Sequence, residues 1–76
     1  LVLVFIAGSL REAERAESVL TSAQIDYCFG AESFTQGVLS SPRQGVGFYV
    51  IEGQAAFARH TLMKARVRSG VIDANT

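Results

Sequence analysis

Three observations predict an α+β fold with an antiparallel sheet and two helices on one of its faces. The apolar run at residues 1–6 breaks at Gly8 into a capped amphipathic helix, and the same strand-then-helix order returns at residues 46–69. Between them lie a second strand and a long stretch without sustained periodicity.

The first strand, residues 1–6, is apolar at every position, with Val2, Val4 and Ile6 branched at Cβ. Period-two alternation is absent, so both of its faces should be covered and the strand should be central. Gly8 permits the turn out. Ser9 and Glu12 then have the spacing at which serine and glutamate side chains reciprocally satisfy free backbone donors, which starts the helix. Leu10, Ala13, Ala16, Leu20 and Ala23 form its buried stripe, and the small residues in the middle allow close approach to a sheet. Arg11, Glu14, Arg15 and Ser18 make the solvated face.

The second strand is read at Tyr27, Cys28 and Phe29, an edge strand in which Ile25, Tyr27 and Phe29 alternate with Asp26, Cys28 and Gly30. Residues 31–45 are broken by Gly37, Pro42 and Gly45 and read as a loop, of a length that is usually functional or mobile. Residues 46–51 form a third, central strand. Residues 55–69 form a second helix with Ala55, Ala58, Leu62 and Ala65 on its buried stripe, and Phe57 and Met63 off it. Gly70 is the expected stop, with a short fourth strand at residues 71–73. The segment from Ala23 to Asp26 has a weak echo at Ser69, Gly70, Val71 and Ile72.

This order, β-α-β-β-α with a short fourth strand, is the ferredoxin-like split βαβ pattern, and it makes residues 1–76 a single domain. In that topology the first and third strands lie in the middle of the sheet, and here those two are apolar on both faces. Because two helices cover one face only, the other should expose an apolar interface, assigned to Val2, Val4, Ile6, Cys28 and Tyr49.

Composition narrows the function classes. Hydrophobic residues make up 49% of the chain and charged residues 18%, which argues against disorder. Seven basic and seven acidic side chains cancel, so no global field attracts nucleic acid or an anionic membrane. The balance conceals a dipole. Residues 1–38 hold Arg11 and Arg15 against Glu12, Glu14, Glu17, Asp26 and Glu32, while Arg43, Arg59, Lys64, Arg66 and Arg68 later face only Glu52 and Asp73. Such poles suit self-association or solvation. Cys28, the single cysteine, excludes an internal disulfide and fits a reducing cytoplasm. The first apolar run falls far short of the roughly 20 residues of a membrane helix.

No set of residues amounts to a reaction centre, so a non-catalytic module without cofactor or metal is expected. Cys28 has Asp26 nearby rather than a base, and a reactive thiol needs a lowered pKa. His60, the only histidine, lacks a second ligand motif, and nothing in the spacing pairs it with Cys28. RNA-binding sheets stack bases on strand aromatics, and Phe48 and Tyr49 are placed for that, but the basic lead of the RNA-binding motif is missing before them. Ser40, Ser41, Pro42 and Arg43 offer hydroxyls, a guanidinium and a rigid turn able to hold an anion. An ordinary polar turn is the simpler reading. The candidate partner loop comprises Phe34, Val38, Leu39, Ser40, Ser41, Pro42 and Arg43.

Phe5, Ala13-Glu14, Ala16-Glu17 and the run from Val19 to Ile25, followed by Phe48-Tyr49-Val50 and an alanine-rich helix, resemble the small PII-like signal-transducing domains of bacteria. The resemblance implies a ferredoxin-like fold and a regulatory or adaptor role. In the PII proteins themselves, the loop between strands two and three touches the partner, and nucleotide sits between subunits of a trimer. By that resemblance the partners are further copies of the chain or subunits of a larger complex, and the ligand class is a small anion or nucleotide. No ligand-binding residue carries over. A second similarity, to sulfur- or selenium-carrier domains, rests on Pro42-Arg43. That family keeps a cysteine in this region, whereas this loop has none. The expectation is thus a cytoplasmic, oligomeric regulatory or protein-binding module. A thiol-dependent enzyme or carrier using Cys28 and an RNA-binding sheet are the alternatives.

Overall fold

The computed structural model describes residues 1–34, 43–67 and 70–71, and for Phe34 and Arg43 only the backbone. Three strands and two main helices follow in the order β1 (Val2–Ala7), α1 (Leu10–Ser22), β2 (Cys28–Phe34), β3 (Arg43–Val50) and α2 (Ala55–Lys64), with one tight helical turn over Glu52–Gln54 before α2. The strands form an antiparallel sheet in the order β1-β3-β2, so β3 is central. Phe5 makes an isolated antiparallel bridge to Val71 on the far side of β1. The rest of the expected fourth strand, Ile72 and Asp73, lies outside the described residues.

The expected loop at residues 31–45 is shorter than the sequence suggests. β2 continues to Phe34 and β3 begins at Arg43, with Glu32 opposite Gly45 and Ser33 opposite Gln44. Glycines and small polar residues hide the alternation there, and pairing between strands, not local propensity, extends both of them. Val38, Leu39, Ser40, Ser41 and Pro42 lie outside the described residues.

Helix α1 begins as its sequence demands. Glu12 N donates to Ser9 Oγ at 3.1 Å, and Gly8 N donates to Glu12 Oε1 at 2.8 Å, so both cap side chains satisfy free donors. Its stripe buries Ala13, Ala16 and Leu20, whereas Leu10, expected on that stripe, is 75% exposed. Helix α2 buries Ala55, Ala58 and Leu62 and ends at Lys64, well before the expected stop at Gly70.

Both helices end by the same device. Gln24 and Arg66 take left-handed backbone conformations, with φ of 59° and 65°. Ile25 N then donates to Leu20 O and Val67 N to Leu62 O, each at 2.9 Å, which is the Schellman closure. The side chains at the positions of its accompanying apolar contact, Leu20 and Ile25, then Leu62 and Val67, are all buried in the one core cluster. The internal echo therefore matches Leu20, Ala23 and Ile25 to Leu62, Ala65 and Val67, and the match at residues 69–72 is superseded. Gly70 serves a different purpose: a Cβ there would lie 2.0 Å from Ile6 O, and its own carbonyl accepts from Ile6 N at 2.8 Å.

The helices and one sheet face enclose a single apolar cluster built on Phe5, Phe48, Leu20, Leu62, Val4 and Val50, with no polar side chain buried among the described residues. Phe48 is its aromatic hub, with ring centroids 6.1 Å from Phe5, 5.6 Å from Tyr27 and 6.2 Å from Phe29, in tilted geometry. Among the described residues no helix is long and apolar enough to cross a membrane.

Candidate functional site

Which side chains reach the uncovered face of the sheet is decided by one irregularity in β1. Val2 and Leu3 pair with Val50 and Tyr49, but the next pair is Phe5 with Phe48, so Val4 is an extra residue bulged against β3. Directly opposed residues share a face. Val2, Phe5 and Ala7 thus join Val50, Phe48 and Val46 under the helices, and Leu3 and Ile6 join Tyr49 and Gly47 on the open side. Val4, with no exposure at all, belongs to the core as well.

The expected open-face set is corrected accordingly. Val2 and Val4 do not face outward, because the bulge shifts the alternation between Val2 and Ile6 by one residue. Ile6, Cys28 and Tyr49 do lie on the open face, and Leu3, not anticipated, stands beside them. Gly30, Gly45 and Glu32 complete the face from β2 and β3. No feature of the sequence announces the bulge.

Gly47 organises the centre of this surface. A Cβ on Gly47 would lie 3.1 Å from both Leu3 Cδ1 and Glu32 Cβ, and 3.3 Å from the Tyr49 hydroxyl. The Tyr49 ring therefore reaches along β3 over bare backbone, and its hydroxyl donates to the Glu32 carboxylate. That hydrogen bond, helped by desolvation and by the negative charge of Glu32, raises the pKa of the phenol above its usual value. The clasp joins the central strand to the edge strand across a glycine pair, Gly47 opposite Gly30.

The same parity bears on the two alternative chemistries. Phe48 is 1% exposed beneath the helices, so Tyr49 is the one aromatic of the pair available on the open face. Cys28 is exposed on that face, whereas His60 lies on α2 in the helix layer, so the sheet separates them. Among the described residues no cluster of three histidine, cysteine or acidic side chains could hold a metal ion.

Depressions also lie on the helical side. A groove of about 560 Å³ runs between the helices and is lined by Ser18, Ser22, Phe57, His60, Thr61 and Lys64 among others. A smaller cleft of about 160 Å³ lies between α1 and the two strands β2 and β3. Both are products of packing between segments distant in sequence. At the base of the helix pair, Arg15 Nη2 donates to Ala65 O at 3.1 Å, which satisfies a free carbonyl at the end of α2. Comparison of the chain with protein-family models, with curated proteins and with solved structures found no match.

Proposed function

We propose that this domain is a non-catalytic, PII-like regulatory or protein-binding module of ferredoxin-like type, which acts as an oligomer or accessory subunit through its open sheet face. One observation carries the reading: both helices pack on one side, leaving Leu3, Ile6, Tyr49 and Cys28 around a flat glycine centre on the other. The bridge from Phe5 to Val71 supports the ferredoxin-like assignment, since it sets a fourth segment beside β1. No second reading is favoured by a specific contact.

The size of this face predicts how strongly it binds. Three strands about 4.8 Å apart, with about seven residues at about 3.3 Å each, present roughly 330 Å². Stable interfaces bury about 800 Å² per partner, so self-association through this face alone should be weak and concentration-dependent. Light scattering and native mass spectrometry should find a mass above 8.2 kDa that rises with concentration. Ile6→Lys should return the chain to monomer with its circular dichroism unchanged, whereas Val4→Lys should unfold it. A chain that stays monomeric at high concentration and captures no partner defeats the proposal.

A further inference from the structure

The open face is not the only unfinished surface. Strand β2 lies at the edge of the sheet, and Val71, the last described residue, is bridged to β1 at the opposite edge. Among the described residues nothing pairs with the outer side of β2. Its sequence, Cys-Phe-Gly-Ala-Glu-Ser-Phe, contains neither lysine nor proline, the residues that commonly protect an edge from pairing.

The cleft beside this edge supplies a side-chain pocket. Leu10, Ala13, Phe29 and Phe48 form its apolar walls, and Glu14 and Glu17 stand on its rim. Leu10 is 75% exposed and Phe29 63% exposed, so two large apolar side chains flank the opening. Its volume of about 160 Å³ is below the roughly 300–1,000 Å³ of small-molecule sites and suits one apolar side chain. Glu14 and Glu17 have no hydrogen-bond or ion-pair partner among the described residues.

We infer that the β2 edge and the α1–β2 cleft together bind an extended, basic peptide segment of a partner protein. The segment adds a strand to β2, seats an apolar side chain between Leu10 and Phe29, and places lysine or arginine against Glu14 and Glu17. Strand addition supplies affinity through main-chain hydrogen bonds, and the pocket and acidic rim supply selectivity. Charge argues against a second copy of β2 as the occupant, because that strand, Cys-Phe-Gly-Ala-Glu-Ser-Phe, carries no lysine or arginine to set against Glu14 and Glu17.

The period of a strand dictates the probe. A pentapeptide with blocked ends, Lys-Thr-Leu-Thr-Lys, puts both lysines and the leucine on the face towards α1, and Glu-Thr-Leu-Thr-Glu is its charge-reversed control. Titration into isotopically labelled protein should shift the amides of β2 and of the first two turns of α1, with an affinity that falls as salt is raised. The acidic peptide should bind at least about tenfold more weakly, and Glu14→Lys with Glu17→Lys, both at exposed positions, should reverse that order. Equal binding of the two peptides, shifts confined to the open face, or no shifts at millimolar peptide would overturn the inference. Concentration-dependent shifts of the β2 amides without peptide would assign the edge to a second copy and overturn it too. Because the edge and the open face are separate surfaces, loss of the oligomer leaves this test intact.

Discussion

The open face works as it does because of single residues, Gly47 above all. Any side chain there would press on Leu3 and Glu32, and the absence of one lets Tyr49 lie along β3 and donate to the carboxylate. The direction of the phenol's pKa shift turns this contact into a pH dependence. Below about pH 9 the phenol is protonated in both folded and unfolded chains, so the stabilisation it gives is complete. As pH rises further, the unfolded chain loses the proton first, and the stabilisation declines until it is gone above the raised folded value. Urea unfolding of the wild type and of Tyr49→Phe should therefore show a stability gap that is constant to about pH 9 and closes by strongly alkaline pH. A gap independent of pH would mean that the hydroxyl does not act through its proton. The glutamate and the tyrosine are plain in the sequence, but their meeting is not, because it needs the register that places Glu32 opposite Gly45.

At the scale of elements, the two helix ends are where local sequence and backbone geometry disagree. A non-glycine residue in the left-handed region costs about 1–2 kcal/mol, and glycine returns about 0.4–1 kcal/mol of that as unfolded-state entropy. Gln24→Gly and Arg66→Gly should each stabilise the domain by roughly 0.5–1 kcal/mol, or about 2–8 °C in Tm for a chain of this size. Thermal melts followed by circular dichroism check this, and a fall in Tm at either site would contradict the closure described. The signal for these ends was in the sequence as a leucine, an alanine and a branched residue at fixed offsets: Leu20, Ala23 and Ile25, then Leu62, Ala65 and Val67. It is obscured because the expected glycine is missing from both sites and a glycine with another purpose, Gly70, follows α2.

For the whole molecule, strand order decides which backbone is protected. Among the described residues, β3 is paired on both sides, β1 has β3 and the bridge to Val71, and β2 has β3 alone. Amide hydrogen exchange should accordingly be slowest in β3, and alternate amides of β2, those pointing away from β3, should exchange near the rate of open loops. Uniform protection along β2 would show that its outer edge is covered in solution.

The class of architecture is legible in the residues alone: a doubly apolar first strand, a capped helix with an alanine stripe, and the return of the same pair. Those features are local, set by the period of side chains and by cap chemistry acting within a few residues. The sequence also placed Ile6, Cys28 and Tyr49 on one face of the sheet. Folding in three dimensions was needed to place Val2 and Val4 in the core, to carry β2 and β3 through half of an apparent loop, and to bring Leu3 and Glu32 to the border of the open face. One cause underlies all three. A bulge, a strand register and a hairpin's extent are set by pairing between segments distant in the chain, where one extra residue redirects every side chain beyond it.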